Sequence, residues 1–279
     1  SQPITVTGAG NVELGAGSGS VALNADVSTG TGHITVAAAT GLTLGGGVDV
    51  TTGAPGTVSL RTAGGSLTLA GDATVVATGS SVRLAAAADV TLGNVTATNV
   101  SVIAAGGSVI NAAGSTKNVT ATALRIEAGQ AVGTAARAVT TAVANVSVVA
   151  GGTTAAGIYL GETDGVTVTG VTVTVTEVQA NSTPATVTDL VQSDLTAGSN
   201  GDVILVALNG GVTWTDGSDA DGVAVSANGS GNILVSAGAG ALTVNADIVS
   251  GTGHITLTAS TGVSLTTGVD VTTAAAGTV

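Results

Sequence analysis

The chain has 279 residues, 44 of them Gly, and 44% of it is hydrophobic, yet it holds one Trp, one Tyr and no Phe, Met or Cys. Length alone allows one or two ordinary domains of ~100–200 residues, but an apolar set made mostly of Val and Ala cannot fill a thick core, where large side chains supply most of the buried area. Five Lys and Arg stand against 17 Asp and Glu, a net charge of −12, so the chain lacks the basic footprint and stacking platforms that nucleic acid requires and the cationic patches that hold proteins on anionic lipid.

The charge is uneven: all five cations lie between Arg61 and Arg137, and residues 138–279 carry nine Asp and two Glu without a single Lys or Arg. Without Cys, disulfides and thiolate metal sites are excluded. No apolar run approaches the ~18–20 residues of a membrane helix, so no membrane span is expected. The N-terminal Ser1-Gln-Pro-Ile4 shows no initiator Met and no signal-like apolar core, and the chain reads as an interior segment of something longer.

Internal repetition sets the organisation. Gly30-Thr-Gly-His33-Ile-Thr35 recurs as Gly251-Thr-Gly-His254-Ile-Thr256, and Val48-Asp-Val-Thr-Thr52 recurs as Val269-Asp-Val-Thr-Thr273, both at an offset of 221. Residues 1–58 therefore match 222–279 without a gap. We read 1–221 as one long tandem unit and 222–279 as the start of the next.

A shorter period runs inside the long one. In chain order, strand-like pieces recur as Asn11-Val-Glu-Leu14, His33-Ile-Thr-Val36, Thr57-Val-Ser-Leu60, Ser81-Val-Arg-Leu84, Asn99-Val-Ser-Val102, Ala123-Leu-Arg-Ile126 and Asn145-Val-Ser-Val148. The series continues through Asp202-Val-Ile-Leu205 to Asn232-Ile-Leu-Val235 and His254-Ile-Thr-Leu257. Most intervals are 22 or 24 residues, and each holds two further short strands between Gly-rich corners. Every piece alternates apolar with polar or small residues, the period-2 mark of a strand with one buried face. Three short strands per coil of about 22–24 residues predict an all-β fold, a parallel β-helix or β-solenoid whose coils stack at roughly 4.8 Å. About nine coils then make up the 221-residue unit, a rise of about 43 Å, if one poorly marked coil near Val173 is included. The competing array of immunoglobulin-like sandwiches would not repeat every 22–24 residues.

Regularity fails at about 157–222, where the long alternation Gly165–Val178 exceeds one face of a coil and predicts a hairpin arm or an enlarged coil. Tyr159 and Trp214 fall here, either filling a widened coil or serving as contact anchors for another chain or a ligand. Asp216, Asp219 and Asp221 lie in a Gly-containing stretch that offers the hard oxygen ligands calcium prefers, although no Glu follows at a bidentate position; otherwise they form a solvated acidic turn. His33 and His254 occupy one repeat position and read as corner residues. Arg61 and Arg83 stand about one coil apart, with their nearest acids, Asp72 and Asp89, on other segments. No catalytic set or cofactor motif emerges, so neither an enzyme nor a cofactor is expected. A polysaccharide-acting β-helix would need clustered carboxylates with cations, and an ice-binding face would need Thr-x-Thr once per coil, which Thr5-Val-Thr7 and Thr167-Val-Thr169 do not supply.

Gly65-Ser-Leu-Thr-Leu69, Asp89-Val-Thr-Leu-Gly-Asn94 and Gly107-Ser-Val-Ile-Asn111 resemble the coil repeats of filamentous haemagglutinin-like adhesins, giant bacterial surface proteins of the two-partner secretion type. The resemblance implies a right-handed β-helix, export, and surface adhesion or filament building. Open strand edges template further pairing, and neither end of the sequence shows a cap. The expected function is a secreted, non-catalytic structural filament segment at the cell surface, associating with itself or continuing into identical tandem repeats. The alternative is an adhesin stalk that binds a surface glycan or protein receptor.

Overall fold

The computed structural model describes residues 2–153, 156–274 and 276–279. The fold is all-β, without helix among the described residues, and its parallel strands stack as a β-solenoid of about 12 turns, in agreement with the parallel β-helix read from the periodicity. The chain forms two compact units, residues 1–122 with 172–190 and residues 123–171 with 191–279.

In the first unit three parallel ladders run side by side. The first stacks Ile4–Val6, Val27–Thr29 and Asp49–Thr52 below the opening halves of Thr74–Ala86 and Asn94–Ala104. The second stacks Val12–Ala16, Ile34–Ala38 and Val58–Thr62 below the closing halves of the same two long strands. The third runs through Ser20–Leu23, Gly41–Leu44, Leu67–Leu69, Val90–Leu92 and Val109–Asn111. Register puts like on like: Ile34 faces Val58, then Val82 and Val100, while Val36 faces Leu60, then Leu84 and Val102. All eight are fully buried, each contributing about 1.5–3 kcal/mol of transfer free energy. Coil length is less constant than the sequence suggests. Val58 faces Val82, 24 residues on, but Val82 faces Val100, only 18 on.

The repeat offset carries side-chain contacts at the corners from one copy to the next. Asp26 Oδ1 accepts the Asp49 N–H at 3.0 Å, and its mate Asp247 accepts from Asp270 at 2.8 Å. Asn11 caps the N–H of His33, and Asn232 caps that of His254. The His33 ring reaches Thr57 Oγ1 at 3.0 Å, and His254 reaches Thr278 Oγ1 at 2.8 Å. At a corner the backbone N–H has no ladder carbonyl opposite it, so an Asn or Asp side chain of the coil below satisfies it. Asn94, Asn118 and Asn228 serve the converse need and donate to carbonyls of Gly71, Leu92 and Ala197.

His33 Nδ1 also accepts the Thr57 N–H at 3.1 Å, and burial holds its pKa below the ordinary 6.5. A histidine whose folded pKa is depressed contributes full stability above pH 6.5 and loses it as pH falls, because the unfolded chain takes up the proton first. Between about pH 8 and about pH 5 the native chain is therefore expected to lose more Tm than its His33→Asn variant. Parallel Tm profiles would show that His33 does not titrate against folding.

Residues 172–190 depart from the coils. Thr174–Val178 and Pro184–Thr188 form an antiparallel hairpin that packs on the strands Ile34–Ala38, Val58–Thr62 and Thr74–Ala86. The region near Val173 is thus no coil of the solenoid; the coil counted there is formed instead by Ile158–Glu162 and Val166–Val168, which stack between Val139–Ala150 and the strands Val203–Ala207 and Val212–Trp214, so the count of about nine stands. Its alternation buries Val173, Val175 and Val178, but in an arm lying across the outer face of the second ladder. Backbone N–H groups of Thr176 and Val178 donate to Thr57 Oγ1 and Thr35 Oγ1, and Ser59 Oγ donates to Glu177 Oε1 at 2.8 Å. Thr35 and Ser59 point outward in their strands yet are fully buried, since the arm covers them.

Ion pairs complete the seam. Arg83 Nε holds Asp189 at 2.9 Å and Arg61 Nε stands 3.3 Å from Glu177. Both acids are almost completely buried, so removing their partner leaves charge stranded in a poorly hydrated seam. Arg83→Met is expected to destabilise the first unit by about 3 kcal/mol and to speed proteolysis at the hairpin tip, residues 179–183. Unchanged stability and cleavage would separate the arm from the fold's integrity.

In the second unit one strand, Val139–Ala150, seeds all three ladders. Val139–Thr141 pairs with Ile158–Glu162, which leads on to Val203–Ala207, Ile233–Ala237 and Ile255–Ala259. Asn145 and Val146 pair with Val166–Val168, followed by Val212–Trp214, Ala241–Val244 and Gly262–Leu265. Val148–Ala150 pairs with Leu195–Ala197, followed by Val223–Ala227, Asp247–Ser250 and Val271–Thr273. The series traced in sequence therefore changes column: Asp202-Val-Ile-Leu205 does not stack above Asn145-Val-Ser-Val148 but belongs to the ladder that runs through Val139.

Candidate functional site

The chemically densest place is a double corner of the second unit. One corner carries the chain back from the arm: Val171 and Gln192 exchange both backbone hydrogen bonds, at 2.8 and 3.0 Å, closing the neck through which residues 172–190 leave. Asp194 follows, with a left-handed φ of 69°. Its carbonyl accepts the Val148 N–H and Ser147 Oγ, which fixes it against the coil beneath. The second corner, residues 215–222, joins Val212–Trp214 to Val223–Ala227 and turns through positive φ at Gly217, Ala220 and Gly222.

Serine couples the two corners. Ser193 Oγ accepts the Ser218 N–H at 3.0 Å, and the two hydroxyls lie 3.2 Å apart. The same stacking, 25 residues from one corner to the next, brings Asp194 over Asp219. One carboxylate oxygen from each of Asp194, Asp219 and Asp221 lies within 4.8 Å of the others. Asp194 is 5% exposed, and its Oδ1 has no hydrogen-bond partner. Burial first, then the charges of Asp219 and Asp221, push its carboxyl up to about 8.

Of the three acids expected from sequence to form a calcium-ligating set, the structure brings Asp219 and Asp221 together and leaves Asp216 to a different task. Asp216 Oδ1 accepts the Gly222 N–H at 2.6 Å, closing the turn. Asp194 takes the third place, and sequence reasoning missed it. The available signal was the coil spacing, which the arm had obscured.

Tyr159 and Trp214 part company. Trp214 is fully buried, stacked between Val168 and Val244 in its ladder, so its indole fills the interior. Tyr159 is half-exposed beside Ile204 and donates its hydroxyl to Asp202 at 3.3 Å. Burial and the Asp202 charge raise its pKa.

A concavity of the first unit, about 470 Å³, is an open groove whose walls include Glu13, Ala37, Arg61 and Gln179. Its single Arg already faces Glu177 from the arm. Among the described residues Arg61 and Arg83 thus hold the arm in place, and the carboxylates opposite them come from more than 100 positions away in sequence.

Stacked parallel coils, ladders of like residues and a strand-for-strand internal repeat define the class of the protein as a β-solenoid repeat protein. Comparison with protein-family models, with curated proteins and with solved structures finds no match to this chain.

Proposed function

We propose that the chain is a structural, non-catalytic segment of a long tandem-repeat β-solenoid that builds an extracellular fibre at a cell surface, in the manner of filamentous haemagglutinin-like proteins. The observation that carries this reading is the repeat itself. Strands Val223–Ala227 through Val271–Thr273 reproduce Ile4–Val6 through Asp49–Thr52, together with the Asp, Asn and His contacts at their corners. A solenoid that regenerates its own first coils can be extended without a new kind of interface, because each coil contacts only its neighbours. Arg61 and Arg83 support the reading by serving the arm, where an enzyme would array its cations with acids in a cleft.

The adhesin alternative requires a receptor site, and the open groove beside Arg61 is its natural location. Immunogold labelling of intact cells with antibody to this chain tests the proposal. Label along surface fibres is expected; label confined to the cell interior would overturn it. Glycan or receptor binding that is lost on filling the groove, for example with Ala37→Trp, would favour the adhesin.

A further inference from the structure

We propose that Asp194, Asp219 and Asp221 form a calcium site that fastens the neck of the arm to the next coil of the solenoid. Three carboxylates converge with no imidazole or thiolate among them, which selects a hard, oxygen-seeking cation. Turn geometry alone would not require a cation here, and the exposed Asp219 and Asp221 could be solvated independently. Asp194 is different: it is 95% buried, aimed at the other two, and one of its oxygens has no hydrogen-bond donor. A buried, unsatisfied oxygen is costly. The charges that act on it are those of Asp219, Asp221 and Asp216, with no cation among them.

An external cation supplies the missing partner and lets the three carboxylates share one place as anions. Calcium fits better than magnesium, because two of the ligands sit on an irregular Gly-containing turn and calcium tolerates irregular oxygen cages, whereas magnesium demands near-octahedral geometry. The mechanical consequence follows from position. Asp194 lies where the chain re-enters the solenoid, directly before Leu195–Ala197, and Asp219 and Asp221 directly precede Val223–Ala227, which pairs with that strand. Bound calcium ties consecutive coils across the point where the arm has interrupted them.

The test is isothermal titration of the chelator-treated protein with calcium chloride, alongside thermal melts in calcium and in chelator. One site with a Kd on the order of 10⁻⁵–10⁻³ M and a higher Tm in calcium are expected. Asp194→Asn is expected to weaken binding by on the order of tenfold or more while folding at least as well as the native chain in chelator, since an amide of the same shape costs no more to bury than a carboxyl. The doubly substituted Asp219→Asn, Asp221→Asn protein, altered only at exposed positions, is expected to lose the calcium response too. Asp216→Asn is expected to keep it, weakened less than about threefold. Absence of heat and of any Tm change up to about 10 mM calcium, or native affinity in the Asp194→Asn protein, would overturn the proposal.

Discussion

Gly32→Val is expected to cost about 3 kcal/mol of stability, at the upper end of what overpacking usually costs. A Cβ at Gly32 would stand 2.0 Å from the carbonyl oxygen of Gly10 in the coil below, and Gly56 above it is equally tight against the Gly32 carbonyl, at 2.3 Å. These neighbours are backbone, so no side chain can swing away and the coils themselves must separate. The repeat mate makes the same case independently, because Gly253 faces the Gly231 carbonyl at 2.0 Å. Gly253→Val is expected to match Gly32→Val, whereas Gly17→Val, which has open space around it, is expected to stay within about 0.5 kcal/mol of native. Chemical denaturation of the three variants measures this, and equal stabilities would show that coil spacing does not depend on these glycines.

Trp214→Ala is expected to destabilise the second unit by about 3–5 kcal/mol. The indole is fully buried, and in a ladder whose neighbouring rungs are Val168 and Val244 no flanking side chain is large enough to fill the cavity. Trp214→Phe is expected to lose clearly less. It keeps most of the apolar volume and removes an indole N–H that is buried without a hydrogen-bond partner. A Phe variant as unstable as the Ala variant would mean that Nε1 is satisfied in solution.

Much of this fold was legible because a solenoid writes its geometry into the sequence as spacing. Inward rows repeat the same small set of residues, so Val36, Leu60, Leu84 and Val102 could be aligned by their surrounding pattern before any ladder was seen. Retained residues also had local reasons: the Asn-to-His cap and the glycine column recur wherever the corner recurs. Period 2, however, reports a strand and not the sheet it joins. The long alternation before Val178 predicted a hairpin arm or an enlarged coil, and the arm is what forms, but its partners, Thr35, Ser59 and Arg83, are 106–143 residues distant. No local pattern encodes such a docking.

The acidic site shows the same division. Asp219 and Asp221 announce themselves as neighbours on a Gly-containing turn, and Asp216 was grouped with them for the same reason, although its carboxylate closes the turn at Gly222. Asp194 sits among Gln, Ser and Leu in a stretch without periodicity, and only stacking reveals it. In a coiled fold, residues one coil apart can be as close as residues two positions apart, and an insertion that breaks the period hides them.

Electron cryomicroscopy of filaments of the native material tests the central claim most directly, namely that the 221-residue unit is a stack of coils repeating along a fibre. Thin filaments with an axial repeat of about 43 Å, subdivided into coil layers at about 4.8 Å, are the predicted result. Isolated globular particles, or filaments without that axial repeat, would contradict it.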